Sequence, residues 1–208
     1  GLPAVAPGLP AVAPGEARRT SCLGRRFAYP LWTAVAMVPF ALLPYPATAA
    51  LWVALNAAAA LGGTLLALRA AGGPWRAAPL TIALVAASQP FALTVWSGQI
   101  DGLVAGLIGL SAWALARGWD ARAGIALALG LLKPQLVVVT VPAIAARALA
   151  LHRPRALGGL AVGGGVLLAA SLAVRPGWIG PWLDETTGAR LAVARLLPTA
   201  WGFAADLT

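Results

Sequence analysis

The chain has 208 residues, 60% hydrophobic and 10% charged, with a formal net charge of +9. A soluble domain carries about 25% charged residues, so this chain lacks the polar side chains to coat a globule in water. Its one cysteine, Cys22, excludes an intrachain disulfide and any metal cluster built from cysteines.

Several apolar runs approach the roughly 20 residues needed to cross hydrocarbon as a helix. A transmembrane barrel would need alternating apolar and polar residues along each strand, and no such alternation is present. The composition therefore predicts an all-α, polytopic transmembrane helical bundle in a cell membrane. The basic excess does not point to nucleic acid: the arginines lie in short clusters between apolar runs, as cytoplasmic loops do. No phosphate-cradling GxxxxGK[ST] and no Ser–His–Asp pattern occurs, so neither an ATPase nor a triad hydrolase is indicated. No cofactor or metal is expected.

Residues 1–15 hold Gly-Leu-Pro-Ala-Val-Ala-Pro twice over. Prolines at that density prevent a helix. Residues 16–26 are basic and polar, so 1–26 is expected to be a disordered lead-in to a helical domain over 27–208. The sequence lacks an initiator methionine, and the expectation is a truncated domain, short of its first helix and its last ones. Tyr29-Pro30-Leu31-Trp32 marks a membrane interface at a helix start. The run 31–43 is short and holds Pro39, which predicts a re-entrant or interfacial helix.

Residues 47–68 read as a full span carrying Trp52 and Asn56. Residues 78–96 read as the next, kinked by Pro90. The turn Ser97-Gly98-Gln99 leads to Asp101 and a span over 100–116, with Gly102, Gly106 and Gly109 as small packing residues. A basic turn over 117–122 precedes a run over 123–146 that is broken at Lys133-Pro134-Gln135. The basic loop 147–155 holds His152, read as a solvated or headgroup-facing residue. A span over 156–174 follows, and then the Trp-bearing polar loop that starts at Arg175. Asp184 and Glu185 read as a solvated acid pair, and 190–207 as the start of another helix.

The arginines place the loops 69–76, 117–122 and 147–155 in the cytoplasm, and the Gln99 turn and the Arg175 loop outside. Basic loops at both ends of 123–146 favour two half-helices that enter and leave on the cytoplasmic side. Broken backbone at membrane depth survives only where it lines a cavity or is buried in protein. That reading leaves Lys133 on the wrong side to meet Gln99 and Asp101, a conflict the sequence does not resolve.

Polar groups inside apolar sequence are costly unless they pair or face water, which makes Gln99, Asp101 and Lys133 functional candidates. Lys133 is the only lysine among fifteen basic residues. A compact point charge there fits a phosphate contact; a cation snorkelling to the headgroups fits equally. Asp101 reads as a base or sugar anchor, or as a carboxylate at a helix N-terminus.

Taken in order, Tyr29-Pro30, Pro39, Leu43-Pro44, Ser97-Gly98-Gln99 with Asp101, Arg117-Gly118, Ala123-Gly124 and Lys133-Pro134-Gln135 resemble glycosyltransferase family 87. The resemblance is best over 27–155. It implies a GT-C fold that moves a sugar, such as mannose, from a polyprenyl phosphate to a lipid or glycan hydroxyl at the outer membrane face. It also implies a carboxylate base in a first outer loop ahead of the Tyr-Pro segment, where this sequence has only the repeat and the basic stretch. Lys133 or Arg175 would stabilise the leaving phosphate, Gln99 and Asp101 would hydrogen-bond the sugar, and Tyr29 would stack on it or anchor the interface. The other readings are a transporter using Asp101 and Lys133 as pathway charges, and a non-catalytic membrane fragment.

Overall fold

The computed structural model describes residues 29–184. The expectations for 1–26, Cys22, Glu185 and 190–207 lie outside them. The described residues form helices and no strand. We label α1 Leu31–Ala41, α2 Tyr45–Ala70, α3 Ala78–Ala86, α4 Gln89–Ser97, α5 Asp101–Ala116, α6 Asp120–Leu129, α7 Pro134–Val137, α8 Thr140–Ala150 and α9 Pro154–Val174.

Two of these, α2 and α9, are long and apolar enough to cross a membrane, and the bent α3–α4 pair makes a third if it counts as one span. Only 17% of the apolar window of α2 and 11% of that of α9 is buried within the chain. So much outward-facing apolar surface fits lipid as the surrounding solvent.

Close packing fixes the register of α2 against α5. Asn56 meets Gly102, Ala59 meets Gly106, and Gly63 meets Gly109, so the two helices run parallel. A methyl group added at Gly109 would overlap the Gly63 carbonyl, and one at Gly102 the Asn56 carbonyl. Helices approach this closely in lipid because small residues let the backbones touch. A second seam joins α6 and α9, which run parallel: Gly124 lies against Ala156 and Leu160, and Gly163 against Ile125 and Ala128. Of the three consecutive glycines Gly163, Gly164 and Gly165, Gly163 makes the close approach and Gly165 has open space beside it.

The break expected at Pro90 lies just before it. α3 ends at Ala86, Ser88 caps α4, and the two axes differ by 60°. Proline fits the first turn of a new helix better than the middle of an old one, so the chain bends where Pro90 can start α4.

The segment from α6 to α8 is a hairpin of half-helices. At its open end the Arg153 guanidinium donates to the Leu115 carbonyl at 2.5 Å and to the Asp120 carboxylate at 3.3 Å, which ties its two ends together. A turn of 3-10 helix over Gly130–Leu132 then gives way at Lys133, whose φ of −133° and ψ of 81° are not helical. The residue before a proline is pushed out of the α region, and Pro134 brings no N–H to the ladder. The carbonyls left over are taken by α1: Trp32 Nε1 donates to Leu131 at 2.9 Å and Thr33 Oγ1 to Leu132 at 2.7 Å. Thr33 is buried. Thr33→Val keeps the shape and removes the donor, so it should cost about 1–3 kcal/mol, the usual penalty for an orphaned buried carbonyl. Thermal unfolding in detergent measures this, and an unchanged midpoint would mean that the break holds itself.

Candidate functional site

The break delivers Lys133 to the far end of α5. Lys133 Nζ donates to Gln99 Oε1 at 2.6 Å and to the Asp101 carboxylate, and it stands 5.7 Å from the centre of the Tyr29 ring. Four of the five residues singled out in the sequence therefore form one cluster. Lys133 is buried, whereas a third of the Asp101 side chain is exposed, so the ion pair has one face open. The expected separation of Lys133 from Gln99 and Asp101 does not occur. The hairpin starts beside Leu115, at the arginine end of α5, and runs its full depth before turning.

Each side chain is positioned by its own piece of local structure. Gly98 ends α4 in the left-handed region, with φ +63°, which turns the chain towards Gln99. Its carbonyl accepts the Trp52 Nε1–H at 2.7 Å. Asp101 is the first residue of α5, yet it does not cap it. The cap comes from α2: Asn56 Oδ1 accepts the Leu103 N–H at 3.0 Å, and its amide nitrogen donates to the Trp52 carbonyl at 3.0 Å. With an early amide of α5 already satisfied, the Asp101 carboxylate is left to pair with Lys133.

Arg175 is not in the cluster. It is exposed at the C-terminal end of α9, and among the described residues its side chain makes no hydrogen bond or ion pair. It does share the Lys133 end of the bundle. Trp178, three residues on, is buried edge-to-face against Trp32 at 5.3 Å, and Trp32 in turn holds the Leu131 carbonyl.

A cleft of about 580 Å³ opens beside the cluster, bounded by α2, the α3–α4 bend, α5 and Leu136. Gln99 and Asp101 stand at its mouth. Its α5 wall, Gly102, Val104, Ala105 and Ile108, carries it about 10 Å down that helix at 1.5 Å per residue. The lining is mostly apolar, with Thr64, Ser88, Gln89, Thr94 and Ser97 adding hydroxyl and amide groups beyond Gln99. Among the described residues no group of three His, Cys, Asp or Glu side chains is arranged to hold a metal ion.

The family model for glycosyltransferase family 87 matches residues 27–203. The chain belongs to glycosyltransferase family 87. Family 87 membership makes it a glycosyltransferase by family, and the apolar helices make it a membrane protein. Comparison with curated proteins and with solved structures returned no match.

The sequence reading underrated Asn56. It sits 1% exposed in an alanine-rich span and caps α5 from a neighbouring helix. The signal was present, since a lone amide at membrane depth requires a partner. The roles of Trp32 and Thr33 carried no such signal, because both residue types are common near an interface.

Proposed function

We propose that this family 87 chain forms the donor end of a polyprenyl-phosphate-sugar glycosyltransferase, with Lys133 as the phosphate contact. The observation that carries the reading is the setting of Lys133. An ammonium has three N–H donors. Gln99 and Asp101 take two, and no third oxygen accepts from it among the described residues. Asp101 pairs with the buried ammonium and orients it, and the remaining donor is available to an incoming phosphate oxygen.

The reaction breaks the bond between the anomeric carbon and the phosphate oxygen as an acceptor hydroxyl forms the new glycosidic bond. The bonding electrons leave with the phosphate, and a positioned cation is worth most where that charge appears. Gln99 and Asp101, at the mouth of the cleft, are the groups we assign to the sugar hydroxyls, and the Tyr29 ring to one wall of the sugar site. The prenyl chain would lie in the apolar cleft between α2, α4 and α5. The exposed position of Arg175 favours Lys133 over it for the phosphate; we assign Arg175 to the rim, where it would attract the anionic donor. The resemblance puts the catalytic base ahead of Phe27, outside the described residues. Depth supports the scheme too: a 16-residue helix such as α5 is about 24 Å long, less than the roughly 30 Å of hydrocarbon. With its arginine end at one surface, its Asp101 end would lie below the other, within lateral reach of a lipid-borne substrate.

The test is transfer from labelled polyprenyl-phosphate-mannose, and from other polyprenyl-phosphate sugars, in membranes carrying the full protein. Transfer from one such donor is expected. Gln99→Ala should retain the fold and lower kcat about tenfold to a hundredfold through loss of one charge-assisted hydrogen bond. Transfer from a soluble nucleotide sugar with none from the lipid donors would reject the assignment.

A further inference from the structure

The opposite end of the bundle is built for a different ligand. The loops 69–76, 117–122 and 147–155 carry seven arginines and one carboxylate, Asp120, which Arg153 engages. None of the other six pairs with a carboxylate among the described residues. Three of the six instead stand over indole rings. Arg69 lies 5.1 Å from the Trp75 ring centre, Arg117 5.3 Å from Trp113, and Arg122 5.1 Å from Trp119. Trp113 and Trp119 meet edge-to-face at 5.0 Å, so the last two guanidinium groups flank one continuous aromatic pair.

We propose that Arg117, Trp113, Trp119 and Arg122 form a binding site for the headgroup of an anionic phospholipid. A ring face holds a guanidinium by its π cloud and leaves the N–H fork free for a phosphate. Tryptophan belongs at the headgroup level, where its body meets acyl chain and its edge meets water. Arg117, Trp119 and Arg122 are exposed, so the fork and the indole edge face outward together. A soluble polyanion needs no aromatic neighbour beside membrane helices; a lipid phosphate, with its glycerol and first methylenes, does. The site also borders the Arg153–Asp120 clasp that closes the Lys133 hairpin, since Trp119 precedes Asp120 and Asp120 opens α6. A lipid held there stiffens the root of the hairpin. This inference is independent of the reaction proposed above.

The experiment compares the full chain in nanodiscs of phosphatidylcholine alone and with phosphatidylglycerol, and counts the lipids retained by mass spectrometry after mild extraction. The expected result is preferential retention of phosphatidylglycerol and a higher thermal midpoint in its presence. Both should fall in Arg117→Gln/Arg122→Gln, with retention dropping on the order of fivefold per arginine lost. Trp119→Leu keeps both cations and should weaken retention by a smaller factor, which separates an aromatic-framed site from bare charge. Inorganic phosphate at the same concentration should not raise the midpoint. Equal retention of the two lipids, or a preference unchanged in the double variant, would overturn the proposal, and so would a full effect from free phosphate.

Discussion

Lys133→Ala is expected to lower the rate of sugar transfer by about 10²–10³, the usual cost of removing one group aimed at charge that develops in the transition state. The loss should fall mainly on kcat, because the phosphate gains its negative charge as the bond breaks. Lys133→Arg should not restore it. A planar fork with five donors does not fit between the Gln99 oxygen and the Asp101 carboxylate as a compact ammonium does. The single alanine variant also strands a partly buried carboxylate, so a drop in stability has to be separated from a drop in chemistry. Lys133→Met with Asp101→Asn removes both charges at once and should fold close to normally while remaining inactive. Initial rates and thermal midpoints measured together decide the matter. A rate within threefold of the parent in either variant would remove Lys133 from the reaction.

The second large effect is structural. Gly109→Ala should sharply reduce the yield of folded protein, because the new methyl meets the Gly63 backbone rather than a side chain that can swing aside. Overpacking costs about 1–3 kcal/mol where neighbours adjust, and two helix backbones locked by a glycine on each side cannot adjust cheaply. The contrast is Gly165→Ala on α9, where nothing lies within 4 Å. There alanine should be neutral or stabilise the helix by up to about 1 kcal/mol. Parallel denaturation of the two variants in one detergent checks both. Similar losses in each would mean that glycine itself, and not the α2–α5 seam, is what the bundle requires.

The sequence exposed the membrane class, the arginine-marked loops and four members of the cluster, because lipid punishes stray polarity and so makes each polar residue informative. Lys133 stood out by type, as the one lysine in an arginine-rich chain. Its location did not follow. Basic residues report which side a loop lies on, but they do not report how deep a hairpin reaches between two such loops, and that depth decides whether Lys133 meets Asp101. Asp101 looked like a helix cap until Asn56, forty-five positions earlier, was seen to take that role. Arg175 was credited by its side of the membrane alone, and side is a weaker constraint than contact.

The bonds from Trp32 and Thr33 to the carbonyls of Leu131 and Leu132 bridge ninety-nine positions. During synthesis the half-helices on either side of Lys133 emerge as pieces too short to be taken into the bilayer as stable spans, and their broken backbone has no partner of its own in oil. The partner was made long before and must wait beside the translocon. Biogenesis therefore runs backwards through the chain at this point: an early apolar arm serves as the receiving clamp for a late insertion, and the lysine takes its working position only when that docking is complete.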